Sequence, residues 1–356
     1  MAGVEIMNDN MYVGIVGFGG EGDSHRKNIK RINGLELAGV YDIKKERRDY
    51  AVREGVYVYD SYDAMLNDSK IDIILIATPN DLHRDMAVSA MRAGKNVICE
   101  KPVTLSSAQL QDILDVQKET GKVFSVFQNR RWDRDYLAMK KLYESGKLGD
   151  VFRIEHRVHG SRGIPGDWRQ YPEFGGGMIL DWGVHILDQM ALLVGEKIKS
   201  VYCSIDHVTN ELVDDGFNIR LKFASGVEAV LEVGTSNFIS LPKWYMLGRN
   251  GTAVIRGWDV NDNEIVIAEE LDNSDIIPVI TASGITKTMA PRKPEQYKSF
   301  KIDIPESDLA DFYYNFMSAC KGEAEQAVKN EQVMRIMKLM EAAFESEKTN
   351  QVVDFE

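Results

Sequence analysis

Three residues of this 356-residue chain, Lys101, Asp181 and His185, have the types that alcohol oxidation calls for. Removing hydride from a secondary alcohol needs a hydride acceptor, a group that takes the hydroxyl proton and a donor that polarises the developing alkoxide. Asp181 and His185 stand four residues apart in an apolar stretch that reads as one helix, so both side chains share a face. Imidazole titrates near neutral pH and is a natural proton acceptor. Asp181 can bind a substrate hydroxyl or orient and charge-stabilise the imidazole. Lys101 can hold an alkoxide as the ammonium or take a proton as the amine, and the sequence leaves open whether Lys101 or His185 is the base. Pro102 restricts Lys101 toward extended geometry, which aims its side chain. Each residue also has a plain structural alternative: a solvated lysine at a strand end, a carboxylate favourable at a helix N-terminus, a satisfied core histidine.

The hydride acceptor is indicated nearer the N-terminus. Gly17-Phe18-Gly19-Gly20-Glu21-Gly22 fits G-x-G-x-x-G directly after an apolar run and at the start of a helical pattern. Asp42 ends the next apolar run, 20 residues after Gly22. Together these form a dinucleotide-binding fingerprint. Gly17 permits the tight turn, Gly19 lets backbone approach a pyrophosphate, and Gly22 lets helix close on strand, with the helix N-terminus meeting the phosphate charge. Asp42 would accept from both adenosine ribose hydroxyls and repel a 2′-phosphate, which favours NAD over NADP, while Lys44 and Lys45 soften that preference. Glu21 places a carboxylate where a neutral residue is expected, and it either faces solvent or meets a basic neighbour.

The elements that must position these groups follow from periodicity. Apolar runs at 12–17, 35–41, 71–77, 96–99 and 123–127 alternate with helical patterns such as 81–93 and 106–120, the latter capped by Ser106 or Ser107 and ended by Gly121. Alternating strands and helices imply a parallel sheet covered on both faces. Allowing one more strand than these five runs, 78–80 fall after the fourth strand, Lys101 after the fifth and Gln128 after the sixth, all at the carboxyl edge where such folds bind ligands. From about residue 149, period-two segments at 151–160, 200–207, 216–223, 227–234 and 253–256 imply an antiparallel sheet. A helical pattern at 180–194 interrupts them, and two more at 306–321 and 330–346 close the chain. The fold class is therefore α/β, a Rossmann domain at 1–128 followed at 129–356 by an α+β domain with a large, open, mostly antiparallel sheet.

Composition limits partners. A net charge of −12 opposes broad nucleic-acid binding, which needs a basic face. The sequence shows no run of 18 or more apolar residues and no signal-peptide pattern at 1–10, so a cytoplasmic, non-membrane protein is expected. Cys99, Cys203 and Cys320 form no pair, and cysteine and histidine never cluster at ligand spacing, so no metal is expected.

Further motifs carry a resemblance. Ala77-Thr78-Pro79-Asn80-Asp81-Leu82-His83, Gly94-Lys95-Asn96-Val97, Cys99-Glu100-Lys101-Pro102 and Gly175-Gly176-Gly177-Met178-Ile179-Leu180-Asp181-Trp182-Gly183-Val184-His185 follow the fingerprint in order. With the closing segment 312–345, they resemble the Gfo/Idh/MocA oxidoreductases over nearly the whole chain. The resemblance implies a nicotinamide cofactor bound between the domains, a homodimer or homotetramer built on the open sheet, and a polyol, sugar or glycoside as substrate. It implies that Lys101, Asp181 and His185 act together at the reacting carbon. By the same likeness Phe18, Gly20, Thr78, Pro79 and Asn80 lie against the cofactor, His83 near the nicotinamide phosphate, Glu100 on the nicotinamide ribose and Gln128 near the nicotinamide. The segment 128–133 resembles members acting on inositols. Trp168 and Arg169 match a pair near substrate, with His156, His159 and Arg162 as further cleft candidates. Three functions fit this pattern: a dehydrogenase with net turnover of NAD, a glycoside hydrolase working by transient oxidation, and a non-catalytic binding protein. Intact Lys101, Asp181 and His185 oppose the last.

Overall fold

A computed structural model describes residues 10–271, 279–284, 286–287 and 292–356. Residues 1–9, which bear on the signal-peptide expectation, lie outside the described residues. The first sheet contains β1 (Met11–Val16), β2 (Leu35–Tyr41), β3 (Ile73–Ile76), β4 (Asn96–Cys99) and β5 (Phe124–Val126), all parallel in the order β2-β1-β3-β4-β5. β3 reads Ile-Ile-Leu-Ile and is buried throughout, as a central strand covered on both faces must be. The helices are α1 (Gly20–Ile29), α2 (Lys45–Arg53), α3 (Tyr62–Leu66), α4 (His83–Arg92) and α5 (Ser107–Thr120). Ser106 caps α5 by accepting from Gln109 N, and Gly121 ends it in the left-handed region, as serine and glycine favour.

The expectation of six strands is corrected to five. After α2 the chain makes one parallel bridge, Val58 to Val40, and then turns into α3, whose N-cap Ser61 accepts from Ala64 N. Lys101 therefore follows the fourth strand, 78–80 the third and Gln128 the fifth, still at the carboxyl edge.

α6 (Arg134–Glu144) leads into the second domain. Its strands are β6 (Val151–His159), β7 (Ile198–Asp206), β8 (Gly216–Phe223), β9 (Glu228–Gly234), β10 (Trp244–Gly248), β11 (Gly251–Ile255), β12 (Asn263–Ala268), β13 (Val279–Ile280), β14 (Thr286–Lys287), β15 (Tyr297–Phe300) and β16 (Val353–Asp354). Nine of them form one sheet in the order β15-β12-β11-β10-β6-β9-β8-β7-β16, antiparallel except for the β6–β9 pair. β13 and β14 form a separate ribbon. One face of the large sheet is apolar and carries Ile154, Leu231, Ile219 and Val201 against α7 (Val184–Val194) and α9 (Asn330–Thr349). The other carries polar side chains such as Glu155, Arg157 and Glu232.

α8 (Ala310–Cys320) and α9 return to the first domain. Gln326 donates to Phe124 O, and Glu341 accepts from the amide and hydroxyl of Ser107. The segment Pro172–Val194 contains an 18-residue window apolar enough to cross a membrane, which the sequence reading did not anticipate, but 83% of that window is buried inside the protein. The segment is not one continuous helix, since Gly175 and Gly177 have positive φ and α7 begins at Val184.

Candidate active site

The phosphate turn is built by sterics. Gly17 has φ +86°, and a Cβ there would come within 2.4 Å of Ala77 O, while one on Gly22 would lie 2.2 Å from Gly17 O. At Gly19 and Gly20 an added Cβ meets nothing, so the turn is tight toward the protein and open on its outer side. No side chain caps α1, which leaves its first amides for an anion. Asp42 is fixed by two amides: Phe18 N donates to Oδ2 at 2.7 Å and Lys44 N to Oδ1 at 2.8 Å. Phe18 contributes this amide, while its ring is fully buried near Tyr50. Glu21 is exposed to solvent, which resolves the alternative left open by the sequence. The open amides, Asp42 and the glycine turn fit a dinucleotide.

Around the nicotinamide end the sequence expectations divide. Gln128 is 1% exposed and both its side-chain Oε1 and Nε2 lack a partner. Buried amide groups are seldom left so, and the pair matches the donor and acceptor of a carboxamide. Thr78 and Pro79 begin the loop after β3, and Asn80 Nδ2 donates to Gly175 O, tying that loop to the glycine run of the second domain. His83 takes a different place from the one expected. It is fully buried, with Nδ1 2.9 Å from Pro102 O and Nε2 2.9 Å from Thr78 O, so it joins the two loops and does not face a phosphate. Burial holds its pKa below the usual histidine value.

Glu100 also has work inside the protein. Its Oε1 lies 2.8 Å from His25 Nε2 and its Oε2 accepts from Lys101 N at 3.1 Å. His25 Nδ1 lies 2.7 Å from the Tyr313 hydroxyl. A buried chain thus runs from α8 through α1 to the residue before Lys101. Burial pushes the Glu100 pKa up, but the His25 hydrogen bond and the charges of His25 and Lys101 win, leaving it lowered. The sequence reading missed His25; its place three residues after Gly22, in the helix that opens on the phosphate, was the available signal.

Lys101 and Asp181 meet across the domains. Lys101 Nζ is 2.9 Å from Asp181 Oδ1 and 3.1 Å from Asp181 O, and Arg169 Nε is 3.2 Å from Oδ2. Burial raises the Asp181 pKa, yet Lys101 and then Arg169 hold it below the ordinary carboxylate range. The helix expected at 180–194 has a different start: Ile179–Gly183 is a π turn, and α7 follows it. Such wide turns recur at functional sites. The turn is anchored by Asp214, whose Oδ2 accepts from Ile179 N at 2.7 Å. Gly177 (φ +97°) is required there because a Cβ would lie 2.2 Å from Asp214 Oδ1.

His185 is 4% exposed, and its Nδ1 has no partner. Asp181 therefore orients Lys101 and makes no bond to that nitrogen. Burial first, then the charges of Lys101 and Arg130, push the His185 pKa well below the usual value. The imidazole is therefore uncharged near pH 7.

The remaining candidates separate. Arg169 lies 4.6 Å over the Trp168 ring and reaches the site through Asp181. His159 projects to the polar face of the sheet, with Nε2 3.1 Å from Glu232 Oε1, and Arg162 is exposed on the loop beyond β6. Period-two alternation explains His159: it shares a face with Arg157, while His156 and Val158 face the core. His156 stacks on Trp244 at 3.7 Å, and burial followed by Lys243 takes its pKa down to about 3. Arg130, Trp182, Lys243 and Trp258 form a group that reaches His185 through Trp182: Arg130 Cζ is 4.2 Å over Trp182, and Trp182 is 6.0 Å from His185.

Comparison with known proteins agrees with this architecture. Residues 11–128 match the family described as "Oxidoreductase family, NAD-binding Rossmann fold", and 136–254 match the GFO/IDH/MocA C-terminal domain. The oxidoreductase YdgJ of Escherichia coli (strain K12) is 30% identical over 347 residues, covering 96% of this chain and 98% of that one. The scyllo-inositol 2-dehydrogenase (NADP(+)) IolW of Bacillus subtilis (strain 168) is 24% identical over 98% of this chain and 97% of its own. An NAD-binding protein from Listeria innocua has a crystal structure that superposes with a TM-score of 0.88 at 43% identity, covering 97% of each chain. With a glycine turn whose open outer side fits a phosphate and both halves of the chain matched, the protein is a member of the GFO/IDH/MocA oxidoreductase family.

Proposed function

We propose that this oxidoreductase moves hydride between NAD and a secondary alcohol carbon of a polyol or sugar. The observation that carries the reading is the pairing of an ion-paired Lys101 with a buried, neutral His185 at the carboxyl edge of the Rossmann sheet. The α1 amides and the turn at Gly17, Gly19, Gly20 and Gly22 would hold the pyrophosphate, Asp42 the adenosine ribose, and Gln128 the carboxamide. When bound, nicotinamide supplies the hydride acceptor. The chain's own residues do the rest. Asp181, itself held by Arg169, aims Lys101. Lys101 then offsets the negative charge that grows on the substrate oxygen, in a site where burial strengthens the interaction. His185 accepts the hydroxyl proton, so the cation and the base have separate owners.

The inositol dehydrogenase named among the relatives supports a polyol substrate. Its cofactor is NADP, whereas the doubly anchored Asp42 supports NAD here. The test is a titration with NAD and NADP, followed by an absorbance screen for reduced nicotinamide over inositols, aldoses, sugar acids and aryl glucosides. Reduced cofactor with one group of polyols is the expected result. Tight NAD binding with sugar released from a glycoside and no net reduction would replace this reading with the hydrolase.

A further inference from the structure

We propose that the cleft carries a second subsite, formed by Trp258, Trp182 and Arg130, that takes a neutral glycosyl ring attached to the unit being oxidised. This deepens the polyol or sugar reading above and rests on it. Trp258 lies in the turn joining β11 to β12 and is 57% exposed. Its ring centroid is 6.0 Å from that of Trp182, tilted by 57°. Trp182 follows Asp181 in the chain and is itself 6.0 Å from His185. Two successive steps of that length therefore lead outward from the proton acceptor along indole surface.

The plate is held in place. Lys243 Nζ sits 3.8 Å over the Trp258 ring, and Arg130 Cζ is 5.7 Å from Trp258 and 4.2 Å from Trp182. Such contacts fix an exposed indole that would otherwise sample several rotamers. Charge then selects the occupant. Lys243 is ion-paired with buried Asp135, and Arg130 with Asp133 at 3.0 Å. Each cation already has its carboxylate, so a phosphate or carboxylate finds no uncompensated positive charge here. Arg130 Nε, on the guanidinium that lies over Trp182, is buried and lacks a partner. Indole surface with no uncompensated charge suits a neutral pyranose, whose C–H face stacks on it.

The experiment measures kcat/KM on paired substrates, glucose against maltose and cellobiose, and myo-inositol against galactosyl-myo-inositol, in the parent and in Trp258→Ala and Trp258→Phe. The parent should prefer one of the two-ring partners over its single ring. Trp258→Ala should lower that preference roughly tenfold, the effect of losing ~60 Å² of apolar contact, and Trp258→Phe should restore part of it. Taking the ratio within each variant cancels any general damage to the site. An unchanged ratio in Trp258→Ala overturns the subsite, and so does a parent that turns over single rings but rejects every two-ring partner. With phenyl glucoside measured alongside, a gain confined to it overturns the glycosyl assignment. If no polyol or sugar reduces NAD, the parent reading fails separately, and calorimetric titration of the NAD-loaded protein with the same sugars then decides: two-ring binding lost in Trp258→Ala upholds the subsite, and no binding by the parent overturns it.

Discussion

Replacing Lys101 by methionine removes the ammonium and keeps most of the stem. In the resting site that ammonium donates to Asp181 Oδ1 at 2.9 Å and to Asp181 O at 3.1 Å; on the proposed mechanism it faces the developing alkoxide. Removing one preorganised donor from an oxyanion costs ~10²–10³ in kcat, about 2.7–4 kcal/mol, and loss of a full charge in a largely buried site takes the upper end. kcat should therefore fall about 10³-fold. The fold should survive, because Arg169 Nε still reaches Asp181 Oδ2 at 3.2 Å. An uncompensated buried charge costs ~3–5 kcal/mol, and with Arg169 in place roughly a third of that is expected, a drop of a few degrees in melting temperature. NAD affinity should change less than about twofold, since the groups that fit the dinucleotide lie on other loops. The assay is steady-state formation of reduced nicotinamide by absorbance, with fluorescence titration of NAD and a melting curve on the same preparation. A folded, NAD-binding Lys101→Met protein that turns over within tenfold of the parent would refute the assignment of Lys101 to the alkoxide.

Three other outcomes follow from the same geometry. Asp42→Ala should weaken NAD by roughly 10–100-fold, the loss of one or two charge-assisted hydrogen bonds, while leaving NADP the same or tighter; equal weakening of both cofactors in parallel titrations would show that Asp42 serves only the turn. His25→Leu leaves the Glu100 carboxylate buried beside Lys101 N alone, so stability should fall by about 3–5 kcal/mol, and a urea midpoint unmoved from the parent would refute this. His83, His156 and His185 all have folded-state pKa values below 6.5. The unfolded chain then binds protons that the folded one refuses as pH drops through 6.5, so stability is full above that pH and lost below it, by roughly 1 kcal/mol per histidine between pH 7 and 5.5; a flat urea midpoint across that range would contradict neutral burial of the three.

Much of this arrangement was readable along the chain because the responsible physics is local. A strand buried on both faces can only be apolar, so β4 is legible to the residue, and period-two alternation makes β8 legible in the same way. Ser106 and Gly121 mark the ends of α5 through capping chemistry that spans a few bonds. The glycine turn is legible because Gly17 and Gly22 meet backbone atoms that no side chain could displace. The missed features involve distant partners. The strand count was one too high: between β2 and β3 the chain adds only a one-residue bridge, Val58 to Val40, before Ser61 starts a helix. β10, β12 and β15 were not foreseen, because their pairing depends on neighbours far away in sequence.

The candidate site divides in the same way. The sequence by itself singled out the candidates: Lys101 beside a proline after a strand, Asp42 after the fingerprint, and an aspartate and histidine four apart. Only the tertiary structure decided what each touches. It brings Lys101 and Asp181 within 2.9 Å across 80 residues of chain, and it encloses His185 so completely that its charge state is set by burial and by two cations from other segments. It turns His83 and Glu100 inward onto the loops they brace, and it sets Trp258 beside Trp182. Local propensity acts over a few residues, whereas pKa values, ion pairs and clefts depend on which distant groups the packed core brings together.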